Sequence, residues 1–243
     1  MPGVFLIDQA WALWETLARA PISFTAGVSV VVSPDSAVCP PGWVGIVALG
    51  DGVMATAPNA PLAALVRQVL NRLPVTAATD PERLRTELAV VESLGPATLS
   101  YVDPSSFQPH PAVRDIDKAS PAATEVESLL RAAGIADTEE SGMAEITSPA
   151  FVVREDRRVV AAAGYQLWPR NVAHLCVLVA PEARNRSLAQ QVASMATSHA
   201  LRDGRLPQWR ARPAASRAVS RALGFRELGS QVSLRIQYET RKS

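Results

Sequence analysis

The sequence predicts an α/β (α+β) fold, in which a mixed central sheet is flanked by helices and preceded by a smaller α/β unit. One observation is an almost unbroken apolar run from Val172 to Val179, which has the length of a strand buried on both faces. Another is the change to helical spacing from Leu188, where Val192 and His199 continue one stripe. Strand and helix patterns alternate along the rest of the chain.

Short strand and helix patterns also fill the first hundred residues and predict a small α/β unit with its own apolar faces. Asp8 and Asp80 are the predicted N-caps of its first and last helices. The sequence Gly50-Asp-Gly52 between two apolar runs indicates a hairpin. The predicted helices are residues 8–20, 61–73 and 80–94, and the predicted strands are 27–33, 43–49, 53–57 and 98–102. We find no catalytic motif in this part of the sequence.

A linker is predicted from Asp103 to Pro111, because this stretch is rich in proline and serine and has no periodicity. It separates a predicted N-terminal α/β domain, residues 1–105, from a second domain, residues 110–243. The predicted strands of the second domain are 113–116, 151–154, 159–167, 172–179 and 206–211, with two final strands around Gly229-Ser230 within 227–238. Its predicted helices are 122–133, 188–202 and 214–223, and residues 137–142 are predicted to form an acidic turn.

The composition indicates an ordinary globular protein. Of its 243 residues 48% are apolar, and the net charge of +1 gives no reason to expect nucleic acid or an anionic membrane as a partner. No apolar run reaches the length of a membrane span, and the N-terminus lacks the pattern of a secretory signal. Cys39 and Cys176 are isolated and lack metal-ligand spacing, which predicts reduced thiols, a cytoplasmic protein and no metal site. The preference for arginine over lysine and the abundance of alanine are typical of a high-GC bacterial genome.

The turn between the central strand and the next helix is suited to an anion. Pro181 ends the strand, and Arg184 and Arg186 precede the helix that begins at Leu188. The first turn of a helix has free N–H groups, and the positive end of the helix dipole lies there. With two guanidinium groups beside it, this turn is a predicted anion site.

The same turn resembles the acyl-CoA-binding motif of the GNAT superfamily of N-acyltransferases. The family motif is Arg/Gln-x-x-Gly-x-Gly/Ala at the start of a helix, and the sequence here is Arg184-Asn-Arg-Ser-Leu-Ala189. Further on, Ala222-Leu-Gly-Phe225 resembles the Leu-Gly-Phe signature that follows the last helix of the family. The similarity extends from Ala112 to Tyr238, and the predicted order of strands and helices matches the GNAT fold.

The resemblance implies that acetyl-CoA is the acyl donor and that an amine, on a small molecule or a peptide, is the acceptor. The backbone of Val177, Leu178 and Val179 is expected to bond the pantetheine arm. The turn is expected to hold the diphosphate, through charge-assisted bonds of roughly 1.5–3 kcal/mol each. Its residues are Arg184, Asn185, Arg186, Ser187, Leu188 and Ala189. The alternative is a strand and an N-capped helix that bind nothing. A homodimer is compatible with the resemblance.

Several positions depart from the family pattern. Glycine is usual where Asn185 and Ser187 stand, because it lets the backbone approach phosphate closely. Asparagine tolerates a positive φ, whereas the Ser187 hydroxyl is able either to cap the helix or to donate to phosphate. The tyrosine that protonates the leaving thiolate in many members is replaced by Ser220, a much poorer proton donor, and the asparagine seven residues earlier is replaced by Pro213.

Three further groups are candidates for the chemistry or for the pocket. His174, early on the central strand, is a candidate base for the proton of the amine, and the alternative is a histidine that is hydrogen-bonded inside the sheet. An acidic cluster would attract a cationic amine, and the alternative is a solvated turn; its members are Glu139, Glu140 and Glu145. The remaining pocket candidates are Trp168, Trp209 and Arg210, although core packing would explain the tryptophans equally well.

The sequence is compatible with three functions. The first is an N-acetyltransferase of GNAT type, which transfers an acetyl group from acetyl-CoA to a primary amine by direct attack, without a covalent enzyme intermediate. The second is a non-catalytic acyl-CoA-binding or regulatory protein that kept the fold. The third is an interaction protein in which the N-terminal unit carries the function. The identity of the acceptor cannot be read from the sequence.

Overall fold

The computed structural model describes residues 2–111 and 116–238, with side chains from Leu6 onward. The chain divides into two compact units. The first combines Met1–Leu99 with Glu227–Ser243, and the second is Ser100–Arg226. Residues from Glu227 onward therefore group with the N-terminal part of the chain, whereas the sequence-based division placed them in the second domain. That each unit folds by itself stays a prediction.

Helices and strands alternate along both units. In chain order they are α1 (Pro2–Leu17), β1 (Gly27–Val32), β2 (Val44–Leu49), β3 (Gly52–Ala57), α2 (Ala60–Leu70), α3 (Pro81–Arg85), β4 (Val90–Tyr101), β5 (Ile116–Ala119), α4 (Thr124–Ala133), α5 (Ile135–Ser141), β6 (Ala150–Glu155), β7 (Arg158–Trp168), β8 (Val172–Val179), α6 (Leu188–Arg202), β9 (Leu206–Ala211), α7 (Ala214–Ala222) and β10 (Arg226–Ile236). None of the described helices is long and apolar enough to cross a membrane.

The N-terminal unit is built around strands in the order β1–β3–β2–β10–β4. β1 and β3 are parallel, whereas β2 pairs antiparallel with both β3 and β10. The predicted hairpin of β2 and β3 is thereby confirmed. Aliphatic residues of β2, β3 and α2 form most of the core, and Val232 and Leu234 of β10 are fully buried in it. A strand from the far end of the sequence thus completes this unit.

Three predictions for this unit are wrong. α1 begins at Pro2, so Asp8 lies inside the helix, because buried Leu6 extends the apolar stripe past the predicted cap. The helix predicted at 80–94 ends at Arg85, although Asp80 caps it as expected by accepting from two backbone N–H groups. Residues 90–101 form a strand instead, and its last part is buried. The segment 227–238 forms one strand, because Gly229 is needed for close contact with a neighbouring strand and makes no turn.

The C-terminal unit is built around strands in the order β9–β8–β7–β6–β5. β9 is parallel to β8, and the other neighbours are antiparallel. The predicted central strand is confirmed as β8 with the same bounds, and α6 begins at Leu188 as predicted. β5 begins at Ile116, and the other residues of the strand predicted at 113–116 lie outside the described part of the chain.

The two faces of this sheet are covered by different helices. The hydroxyl of Tyr165 lies 2.9 Å from Nδ1 of His199, so α6 covers the face to which Tyr165 and its partner on β8, Leu175, belong. Cys176 is the next residue of β8 and points to the opposite face. There its sulfur lies close to Gly142, which follows α5. α5 therefore lies on the face opposite to α6.

The predicted linker is held by the C-terminal unit. The N–H of Gln108 donates to the carbonyl of Leu223 at 3.1 Å, and the N–H of His110 donates to the hydroxyl of Ser194 at 3.0 Å. Phe107 packs against the core of the unit. The proline-rich segment is therefore fixed to this unit by hydrogen bonds and packing, whereas its composition suggests a flexible linker.

Candidate active site

β8 and β9 part at their carboxyl ends, and a cavity lies where they separate. The two strands are paired from Val172 with Leu206 to His174 with Gln208. β8 continues to Val179 and β9 to Ala211. Beyond the last pair, a cavity of about 610 Å³ is lined by both strands, by the turn before α6 and by α5 and α7. This volume is within the usual range for small-molecule sites.

The backbone of β8 presents hydrogen-bonding groups to this gap. The N–H of Ala180 donates to Val160 of β7 at 2.9 Å, which fixes the phase of the antiparallel ladder. In such a ladder the backbone N–H and C=O groups of successive residues point alternately toward and away from the partner strand. Leu178 and Cys176 therefore also bond β7, whereas the N–H and C=O groups of Val177 and Val179 point away from β7, toward the gap. Of the three residues predicted to bond pantetheine, Val177 and Val179 thus have suitable backbone groups. Leu178 also lines the cavity, although its backbone groups bond β7.

The turn before α6 has the backbone conformation for which the family uses glycine. Asn185 has φ 63° and Ser187 has φ 59°, both in the left-handed region. Ser187 occupies the N-cap position of α6, yet its hydroxyl makes no capping hydrogen bond. The expected alternative of a serine that occupies the first N–H groups is therefore not found. The positive end of α6 faces the cavity through Leu188 and Ala189, which line it.

The two arginines of the turn point to different places. Arg184 lines the cavity and forms an ion pair with Asp137 of α5. Arg186 does not line it, since both of its terminal nitrogens bond the carboxylate of Glu155. This ion pair lowers the pKa of Glu155, mainly through the hydrogen bond from Arg186. Of the residues predicted to bind the diphosphate, only Arg186 does not line the cavity.

The segment predicted as an acidic turn is the helix α5, which borders the cavity. It has no buried residue, and this explains why its sequence lacks apolar periodicity. Asp137 and Glu140, one helical turn apart, line the cavity and form ion pairs with Arg184 and with Arg212 at the end of β9. Among the described residues, Glu140 is the only member of the predicted acidic cluster that lines the cavity. Its charge is already paired with that of Arg212.

His174 is held by side chains inside the sheet. Its Nδ1 lies 2.5 Å from Oε1 of Gln208, and its ring stacks on Trp168 with the ring centroids 4.1 Å apart. Although part of the residue remains accessible, protein atoms surround the imidazole. This burial, together with the charge of Arg210, lowers the pKa of His174 to about 3. His174 is not part of the cavity lining, so its surroundings match the alternative of a hydrogen-bonded histidine within the sheet.

Ser220, the other predicted catalytic residue, points away from the cavity. It is buried and donates its hydroxyl proton to the carbonyl of Arg217 at 2.9 Å. Elsewhere on α7, Ala215 and Ala218 are exposed and line the cavity. The hydroxyl that α7 does bring to the cavity belongs to Ser216, which accepts from the indole nitrogen of Trp209 at 3.0 Å. Sequence reasoning missed Ser216, and no motif marks it.

Trp209 and Arg210 line the cavity, as considered from the sequence, whereas Trp168 is placed against His174. Asp137 was missed because its segment was predicted to be solvated. In the described parts of the chain, no group of three or more His, Cys, Asp or Glu residues is placed to hold a metal ion.

The sequence model of the GNAT acetyltransferase family matches residues 148–230 of this chain. No curated protein shows significant sequence similarity to it. Among solved structures, a GCN5-related N-acetyltransferase from Kribbella flavida superposes with a TM-score of 0.51 at 16% identity, covering 96% of both chains. A GNAT-family protein from Novosphingobium aromaticivorans gives a TM-score of 0.49 at 22% identity, covering 60% of this chain and 65% of its own. This chain thus spans slightly less than two thirds of the Novosphingobium protein.

The matched segment contains the strands β6 to β9, the turn before α6 and most of the residues that line the cavity; the lining residues of α5 lie outside it. The Kribbella structure shows that the fold is shared as well. Residues 148–230 therefore match the GNAT acetyltransferase family, a family of acyltransferase enzymes, in sequence.

Proposed function

We propose that this protein transfers an acetyl group from acetyl-CoA to the primary amine of an acceptor. The observation that carries the proposal is the cavity at the parting of β8 and β9, with the left-handed turn and the start of α6 in its wall. Backbone N–H groups and the helix dipole favour a diphosphate at that turn. The open edge of β8 supplies donors and acceptors for an extended amide-containing arm.

The proposed reaction is direct attack of the amine on the thioester. The C–N bond forms as the nitrogen attacks the acetyl carbonyl, and the carbonyl oxygen takes up negative charge. An N–H of β8 that points into the gap, such as that of Val177, is positioned to stabilise this charge. The C–S bond then breaks, CoA leaves as a thiolate that is protonated, and the nitrogen loses its proton to solvent or to a protein group. Holding the two substrates in one cavity supplies much of the rate enhancement.

Neither residue predicted for proton transfer is included in this proposal. A histidine with a pKa of about 3 is a weak base for an ammonium proton near neutral pH. Ser220 is not assigned a role with the thiolate, because its hydroxyl is buried and donates to the backbone. Ser216 is the hydroxyl that lines the cavity.

The second candidate function is binding of acyl-CoA without catalysis. It is favoured by one specific observation, which is that the position of the family's general acid is taken by a serine that points away from the cavity. Such a protein would keep the donor site and lose turnover. The two functions differ in a single measurable step, the release of the CoA thiol.

Calorimetric titration with acetyl-CoA, followed by a thiol-release assay over amines, peptides and aminoglycosides, tests both candidates. We expect binding and, with at least one acceptor class, thiol release. Arg184→Ala should weaken acetyl-CoA binding roughly tenfold. A charge-assisted bond to the diphosphate contributes about 1.5–3 kcal/mol, and the net gain in the wild type is smaller because Arg184 already pairs with Asp137.

Arg186→Ala is the matched comparison, because it removes the same charge two residues away but outside the cavity wall. Its affinity should stay within about twofold of the wild type, as expected for the loss of an exposed ion pair. Tight binding without thiol release would favour the non-catalytic function. Absence of acetyl-CoA binding would contradict both.

A further inference from the structure

The helix α5 is tied to both sides of the cavity by ion pairs. Asp137, near the start of α5, pairs with Arg184 of the turn that follows β8. Glu140, one helical turn later, pairs with Arg212, the residue after β9. The cavity opens where β8 and β9 separate, so these two arginines lie on its two sides. α5 therefore bridges the gap between the strands, with one carboxylate attached to each side.

Packing does little to hold α5 in this position. None of its residues is buried, and Gly134 and Gly142, on either side of it, have positive φ. The next residue, Met143, is fully buried, so the chain is fixed again directly beyond the helix. An element with little buried surface and exposed ion pairs opens at low free energy. α5 is thus able to move while the core beside it stays in place.

The ion pair of Asp137 engages the guanidinium that the proposed donor needs. Nε of Arg184 lies 3.5 Å from the carbonyl oxygen of Val179, and a terminal nitrogen bonds Asp137, so protein acceptors already lie at two of its three nitrogens. The side chains of Arg184 and Asp137 are nearly half-exposed, at 46% and 44%, and both residues line the cavity. An anion that enters the cavity therefore meets this ion pair directly.

A diphosphate and the carboxylate of Asp137 compete for Arg184. Both are anions, and like charges that share one guanidinium repel each other. The diphosphate carries more charge than a carboxylate, and the free N–H groups at the start of α6 also favour it. The carboxylate is attached to the more weakly held element. When the diphosphate binds, Asp137 is therefore the group that leaves Arg184.

We propose that Asp137 is an internal competitor of the diphosphate, so that acetyl-CoA displaces its carboxylate from Arg184 and releases the start of α5 from the cavity wall. This inference rests on the proposed acetyl transfer, because it takes acetyl-CoA as the donor. By linkage, closure of α5 weakens donor binding by the same factor by which the donor weakens closure. Glu140 keeps the other end of α5 attached to Arg212. Occupation of the donor site thus opens the wall that α5 forms.

Calorimetric titration of charge variants with acetyl-CoA tests the competition. Asp137→Asn keeps the size of the side chain and removes the competing charge, so it should tighten acetyl-CoA binding by about 3–10-fold, through the loss of an exposed ion pair and of the repulsion. Glu139→Gln is the matched control, because it removes the same charge from the same helix at a residue that does not line the cavity. Its affinity should stay within about twofold of the wild type.

A double-mutant cycle separates competition for Arg184 from a general effect of charge. The Arg184→Ala protein has no guanidinium at this position to be freed. Adding Asp137→Asn to it should therefore change the affinity for acetyl-CoA by less than about twofold. An equal gain in both backgrounds would show a general charge effect and would overturn the inference.

Hydrogen exchange reports the movement of α5 itself. Saturating acetyl-CoA should speed the exchange of amides in residues 135–141 by about 2–5-fold, the factor that corresponds to the loss of an exposed ion pair. In Asp137→Asn, acetyl-CoA should leave this exchange unchanged, because the ion pair is already absent. Slower or unchanged exchange of α5 in the wild type on addition of acetyl-CoA would overturn the inference.

The affinities also separate this inference from the proposed acetyl transfer. Unchanged binding in Asp137→Asn would overturn the inference alone. Weaker binding in this variant would also overturn it, by showing that Asp137 positions Arg184 for the donor. Binding to Asp137→Asn but not to the wild type would support the inference in its strongest form. Absence of binding to both proteins would contradict the acetyl transfer and the inference together.

Discussion

At the scale of single residues, His174 has surroundings that fix its protonation state. Its pKa of about 3 lies well below the value of about 6.5 expected for histidine in the unfolded chain. Burial is the main cause, and the charge of Arg210 adds to it. Between these two pH values the unfolded chain binds a proton that the folded protein excludes. The stability contributed by the neutral imidazole is therefore complete above pH 6.5 and is lost progressively as the pH falls toward 3.

We expect that replacing His174 affects acid stability more than turnover. The linkage slope is about 1.4 kcal/mol per pH unit, so His174 accounts for about 2 kcal/mol of the stability that the wild type loses between pH 6.5 and 5. In urea unfolding, the free energy of unfolding of His174→Gln should therefore fall by about 2 kcal/mol less than that of the wild type between pH 6.5 and 5. If His174 is instead the catalytic base, its replacement would lower turnover by about 10²–10⁴. Turnover at pH 7 that stays within a few-fold of the wild type would exclude that role.

The residues of the turn show what a motif can and cannot predict. The resemblance drew attention to a turn whose residues line the cavity, and its position was predictable because the strand and the helix on either side of it are strongly patterned. It did not indicate that Arg186 bonds Glu155, since the partner comes from β6 and is distant in sequence. The left-handed conformation of Asn185 and Ser187 was implied only by the glycines of the family. Side-chain direction depends on tertiary contacts that the spacing of residues does not encode.

At the scale of elements, α5 has few contacts to hold it in place. None of its seven residues is buried, and Ile135 at its start is 79% exposed. Gly134 and Gly142 flank it with positive φ. Its tertiary attachments include the ion pairs of Asp137 and Glu140. Elements with little buried surface open at low free energy, so α5 is expected to open far more readily than α6.

Hydrogen exchange should resolve this difference. We expect amides of residues 135–141 to exchange at least about 100-fold faster than those of the buried part of α6, because they open locally. Asp137→Asn should accelerate exchange in α5 by a further factor of about 2–5, the amount that corresponds to an exposed ion pair. Protection of α5 equal to that of α6 would contradict this reading of its packing.

The elements that sequence patterns failed to predict share one physical property. α5 lacks an apolar stripe, and the start of β4 follows a short helix without a clear stop, so local preference did not decide either segment. β8, α6 and β9 were predicted with correct bounds or starts; β8 is an almost unbroken apolar run, and α6 has apolar residues at helical spacing. Tertiary packing determines the conformation where the period is absent.

At the scale of the whole molecule, the path of the chain could not be read from composition. The segment from Asp103 to Pro111 has the composition of a linker, yet it is bonded to the C-terminal unit. The last strand, β10, pairs over six residues with β2 of the N-terminal unit. A strand's own sequence shows that it is buried but does not identify its neighbour. Pairing across almost two hundred residues follows only from the three-dimensional fold.

The position of β10 predicts which unit depends on it. Leu234 is fully buried in the core of the N-terminal unit, whereas its neighbour Arg235 is half-exposed and forms an ion pair with Glu92. Leu234→Ala should destabilise this unit by about 2–5 kcal/mol, and Arg235→Ala by less than about 1 kcal/mol. Hydrogen exchange reports the location of the effect: in Leu234→Ala, amides of residues 44–57 should exchange faster and those of 159–179 should not. If only residues 159–179 lose protection, β10 belongs with the C-terminal domain, as the sequence-based division at residues 110–243 placed it.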